Sequence, residues 1–157
     1  MRLRPRQLAR QNAARLLPRL ARRFFKTGDK LAAQEQTGEE MHPFRVQTKR
    51  FRYSLEYFRP CYRQAMDSHL NTIRELQQVL GEVNDCCSSR VLYERILGPT
   101  SARRQPRLWA ALDGVEKELL GKFQARWRGP FQSQTMRKKQ LRYLPFPPRA
   151  GARKTKA

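Results

Sequence analysis

HPFRVQTKRFRYSLEYF, residues 42–58 of the 157-residue chain, decides how the rest of the sequence is read. At about 100° per residue, Phe44, Phe51, Leu55 and Phe58, continued by Tyr62, share one helix face, with enough apolar surface to seat the helix in a core. His42, Arg45, Lys49, Arg52 and Glu56 share another face, which Arg59 and Arg63 extend. Like charges three and four residues apart destabilise an isolated helix by a few tenths of a kcal/mol per pair, so this row carries a local cost. A bound polyanion offsets it, because each phosphate accepts charge-assisted bonds from lysine or paired bonds from arginine. The plainer reading is a solvated helix face, but only Glu56 in the row is available to lace it into ion pairs.

Toward the N-terminus, Leu16, Leu17, Leu20 and Phe24 recur at helical spacing and predict a first helix from about Gln7 to Lys30, with Gly28 as a stop signal. Pro18 inside it should kink the helix or mark where its regular part begins. Arg15, Arg19, Arg22, Arg23 and Lys26 gather on a side away from the leucines, and two such stripes on neighbouring helices would make a groove. LAAQEQTGEE reads as a polar linker to a second helix, which starts near His42 and ends near Arg59, before Pro60.

Toward the C-terminus, Asp67 or Ser68 caps a third helix carrying Leu70, Ile73, Leu76, Leu80 and Val83. Asn84 and Asp85 fit a break or a new cap, after which Val91, Leu92, Ile96 and Leu97 continue the pattern to the Gly98-Pro99 stop. A fourth helix runs from about Pro106 to Trp127, with Leu108, Trp109, Leu112, Val115, Leu119 and Phe123 as its apolar positions. Residues 1–131 therefore form one helical domain, an all-α antiparallel four-helix bundle, and residues 132–157 a basic, proline-rich, disordered tail.

Lysine and arginine number 34 against 13 aspartates and glutamates, a formal net charge of +21. Such a chain needs an anion; nucleic acid, polyphosphate and anionic membrane qualify, and charge alone does not rank them. Three cysteines without metal spacing suit a reducing compartment. No apolar run is long enough to span a bilayer, so a soluble cytoplasmic protein is expected. The arginine-rich, acid-free segment before Asp29 also has the composition of an organelle transit peptide, although a helix of the domain explains the same residues.

The two motifs HPFRVQTKRFRYSLEYF and LQQVLGEVND (residues 76–85), in that order and at that separation, resemble the CHAD family, the conserved histidine α-helical domain. Its pattern falls on His42, Arg45, Lys49, Arg52 and Tyr53, then Leu55 and Glu56. The resemblance implies a helical fold whose basic residues line a groove that binds inorganic polyphosphate, and association with polyphosphate granules or triphosphate-processing domains. It covers about residues 8–131 and matches only the second of the family's two four-helix halves. Two copies associating to replace the missing half, or a truncated chain, would account for that.

The expected polyphosphate-binding set is therefore His42, Arg45, Lys49, Arg52, Tyr53 and Arg59, with Arg15, Arg19, Arg22, Arg23 and Lys26 from the first helix. No catalytic residue, metal or cofactor is expected. His42 has no second histidine or cysteine at ligand spacing and reads as a hydrogen-bond donor to phosphate or a neighbouring helix. Glu56 reads as an orienting partner for an arginine, Tyr53 and Tyr57 as packing residues with polar tips, Asp85 as a cap, and Cys86 and Cys87 as buried small side chains. Two rival functions remain. One is non-specific nucleic-acid binding, for which no reader motif is present. The other is an accessory module of a phosphohydrolase, for which converging metal-holding carboxylates are missing.

Overall fold

The computed structural model describes residues 3–62, 66–98 and 100–133, together with Arg137, Arg142 and Leu144. Four long helices form a bundle: α1 (Ala9–Ala32), α2 (Gly38–Tyr62), α3 (Asp67–Leu97) and α5 (Pro106–Arg126). A single turn, α4 (Ser101–Arg104), joins α3 to α5, and a π turn (Trp127–Phe131) follows α5. The all-α bundle expected from periodicity is the observed architecture, with no strand among the described residues.

Neighbouring helices run antiparallel. His42 near the start of α2 meets Asn84 late in α3, while Arg59 near the end of α2 meets Asp67 at the start of α3. Likewise Arg90 pairs with Asp113, and Glu75 with Arg126, across α3 and α5. The π turn closes the bundle by returning to α1: Trp127 and Phe131 stack on each other at 4.9 Å and both meet Phe24. Phe24 also touches Phe44 and Phe51 of α2, so aromatic rings from three elements make the centre of the core. The seam Phe44, Phe51, Leu55, Phe58 and Tyr62 is buried, as the spacing required.

Several local expectations are corrected. The first helix does not stop at Gly28 but continues to Ala32, and Pro18 lies inside it without marking its start. Gly28 is a notch: a Cβ there would fall inside the Trp127 indole. α2 begins at Gly38 rather than near His42, because Thr37 and Glu40 form a reciprocal cap. Glu40 Oε2 accepts the Thr37 backbone N–H at 2.9 Å, and Thr37 Oγ1 accepts the Glu40 N–H at 3.4 Å. α2 also runs through Pro60 to Tyr62.

α3 is continuous through Asn84 and Asp85, so neither breaks nor caps it. Asn84 is held sideways by His42, and Asp85 lies exposed on the helix exterior. At the start of α3 the capping position is Met66; Asp67 instead sits in the first turn, where its charge suits the helix dipole, and binds Arg59. Gly98 ends α3 at φ 82°, a left-handed conformation that favours glycine.

Most of the stretch expected to be a tail lies outside the described residues. Within it, Arg137 binds the Asp29 carboxylate through Nη1 at 2.6 Å, and buried Leu144 accepts a hydrogen bond from the Tyr62 hydroxyl.

Candidate functional site: the outer side of α2

The aromatic seat of α2 points its opposite side outward, and the cationic row lies on the flank toward α3. Arg52 Nε donates to Gln77 Oε1 at 2.7 Å and its Nη1 to Glu56 Oε1 at 2.8 Å. Arg74 of α3 shares the same Glu56 oxygen at 3.0 Å. Glu56 is thus the orienting carboxylate expected, bridging two guanidinium groups.

His42 Nδ1 lies 2.9 Å from Asn84 Oδ1, the contact with a neighbouring helix foreseen for it. A proton on Nδ1 makes that hydrogen bond, since the Asn84 amide oxygen only accepts.

Arg45 and Lys49, half-buried between these two anchored residues, form no ion pair among the described residues. Arg45 Nε is buried and has no hydrogen-bond partner. Such an unmet donor costs about 1–3 kcal/mol. The row therefore contains a paired cation, Arg52, beside two unpaired ones.

Arg59 sits beyond them at the far end of α2, where Asp67 takes Nε at 2.7 Å and Nη2 at 3.2 Å. The hydrogen bond and charge of Asp67 hold the Arg59 guanidinium above its ordinary pKa. Arg63 lies outside the described residues.

The stripe on α1 does not merge with this row into one groove. Helical geometry sets Arg15, Arg19, Arg22 and Lys26 on the side of α1 turned from the core, while Arg45 and Arg52 sit on the far flank of α2. Only Arg23 reaches the α1–α2 junction, a cleft of about 900 Å³ that it lines with His42, Gln47, Arg50 and Tyr53. Arg50 was not singled out by sequence, because it lies about 100° round the helix from Lys49. His42 and Tyr53 occupy the crest, so cations pass over α2 from Arg23 and Arg50 on one flank to Lys49, Arg45 and Arg52 on the other.

Tyr53 and Tyr57 are not packing residues: they are 53% and 67% exposed. The Arg52 guanidinium lies over the Tyr53 ring at 4.4 Å, and Tyr57 leans edge-on against Phe58. Among the described residues no group of histidine, cysteine and acidic side chains could hold a metal ion, and no helix is long and apolar enough to cross a membrane. Burial raises the pKa of the Cys61, Cys86 and Cys87 thiols; Cys86 is buried as expected, whereas Cys87 is only half-buried.

The family model described as "CHAD domain" matches residues 2–94, more than half of the chain. The protein belongs to the CHAD domain family. Neither a curated protein nor a solved structure matches it.

Proposed function

We propose that this protein binds inorganic polyphosphate along the outer side of α2, as a non-enzymatic module, with Lys49, Arg45 and Arg52 in contact with successive phosphates. The observation that carries the reading is the unmet Arg45 donor beside unpaired Lys49, in a family-matched segment. The half-buried Arg45 guanidinium, with no acidic partner among the described residues, can donate charge-assisted bonds to a phosphate oxygen. The pinned Arg52 is already oriented, so less side-chain entropy is lost when it meets the ligand. Glu56, occupied by Arg52 and Arg74, supports a positioning rather than a catalytic role. A reducing, polyphosphate-containing compartment such as the cytoplasm or a granule surface suits the three free thiols.

The test is a competition between long-chain polyphosphate and equal phosphate concentrations of single-stranded DNA and RNA across a salt series. Polyphosphate should win, and Lys49→Ala should weaken it by roughly tenfold, the size of one charge-assisted contact. Truncation after Phe131 would also remove the Arg137 and Leu144 contacts. The tail is better tested by changing Arg153, Lys154 and Lys156 to glutamine in the full chain. If those changes weaken binding more than Lys49→Ala, the row is not the site.

The exposed tyrosines favour one second reading, single-stranded nucleic acid, in which bases stack on aromatic rings beside cations. Tyr57→Ala separates the two: it should weaken DNA or RNA binding and leave polyphosphate binding unchanged.

A further inference from the structure

The outward arc of α3 changes character along its length. At about 100° per residue, Asn71, Glu75, Gln78, Glu82, Asp85 and Ser89 lie on the arc opposite buried Leu76, Leu80 and Val83, and all six are exposed. Leu92, Tyr93 and Ile96 continue the same arc and are also uncovered, Ile96 at 68%. The arc is polar for most of the helix and apolar for its last two turns.

Those turns project past the start of α2, whose neighbours on α3 are Asn84 and Cys87. From Val91 to Ile96 every residue is exposed. At about 1.5 Å per residue, roughly 15 Å of helix extends past the start of α2, with α5 beside it on the inner side through Arg90, Trp109 and Asp113.

The charges flanking this apolar stretch are of opposite sign. Glu82 and Asp85 lie before it, and neither makes an ion pair among the described residues. Exposed Arg95, Arg103 and Arg104 lie at the other end, on α3 and α4. A polyanion or an anionic bilayer is repelled by the acids. Two copies of this chain in antiparallel register have what each end needs. Setting Leu92 of one against Ile96 of the other carries Asp85, about 10 Å back along its helix, to the tip of its partner. The family match ends at residue 94, so α4 and its arginines lie outside it.

We infer that the outward face at the end of α3 is the contact surface of a two-fold dimer, in which Leu92 and Ile96 pack across the axis and Glu82 and Asp85 of each copy meet Arg103 and Arg104 of the other. The patch is small, so the dimer belongs with weak, transient interfaces. The net charge opposes it at a distance, and salt of about 0.3 M screens that repulsion to within roughly 6 Å while leaving the apolar contact intact. The surface does not depend on the polyphosphate reading.

Sedimentation equilibrium of the full chain, at up to about 200 μM and that salt, is the measurement. The wild type should associate as a monomer–dimer system, and Leu92→Ser with Ile96→Ser should abolish dimerisation without changing helicity by circular dichroism, since both side chains are exposed. Two charge variants supply the decisive comparison. Glu82→Lys with Asp85→Lys, and separately Arg103→Glu with Arg104→Glu, should each weaken self-association by about tenfold or more, because like charges then oppose at both contacts. An equimolar mixture of these two variants should restore dimers, since both contacts are again complementary. A wild type that stays monomeric throughout, a serine variant that still dimerises, or a mixture no more associated than its components would each overturn the proposal.

Discussion

The inner and outer sides of α2 are built from the same 25 residues and obey opposite rules. On the inner side every large side chain is covered: Phe44, Phe51, Leu55, Phe58 and Tyr62 are each at most 3% exposed. On the outer side Arg45 and Lys49 have no acidic partner among the described residues, and a guanidinium nitrogen is left without an acceptor. Folding free energy is gained on one side and partly given up on the other. A surface that retains an unmet donor has lower stability than it needs to have, and a ligand that met the donor would recover that cost.

The comparison can be broken hardest from the inner side. Trp127→Ala should destabilise the protein by about 3–5 kcal/mol in urea denaturation, since the indole is fully buried against Phe24, Phe44 and Phe131. Gly28→Ala should be destabilising alone, and less so when combined with Trp127→Leu, because the added methyl and the indole compete for one space. If the two losses simply add, the notch is not what fixes Gly28.

A change on the outer side should move stability and binding in opposite directions. Arg45→Met removes the unmet donor but keeps the stem, so stability should stay level or rise by up to about 1 kcal/mol while polyphosphate affinity falls. Parallel losses in both would place Arg45 with the structural residues.

The smallest effect is expected where the π turn and Arg137 meet α1. Burial pushes the Asp29 carboxyl up, but hydrogen bonds from Arg137 and Trp127, and the charge of Arg137, bring it below its ordinary value of 3.8. A depressed carboxylate contributes stability that is present above its unfolded pKa and lost as pH falls through the folded one. Asp29→Asn should therefore cost under about 1 kcal/mol near neutral pH, as befits a partly exposed pair, and the difference from wild type should vanish in acid below that range. A difference that persists at low pH would assign the effect to packing around Trp127.

What was legible in the sequence follows one pattern. The two faces of α2 were readable because a 3.6-residue period assigns each side chain a direction without reference to the rest of the chain. The partnership of Arg52 with Glu56 was readable because residues four apart meet on a helix. The start of α2 was misplaced although Thr37 and Glu40, three apart, carried a capping signal. Gly28 and Asn84 were misread for a different reason: each was judged by local propensity, while its role is set by Trp127 and His42, far away in the chain.

The sequence by itself determined that this is a helical, strongly basic chain of the CHAD family, with a cationic row back to back with an aromatic one. Only the tertiary structure decided which cations stay unpaired, that Arg23 alone of the α1 stripe approaches α2, and that the outward arc at the end of α3 is left bare. Those outcomes depend on which helices become neighbours and how far each overshoots the other. Periodicity fixes the direction of a side chain about its own axis, whereas its partner comes from another helix whose position is set by packing of the whole core.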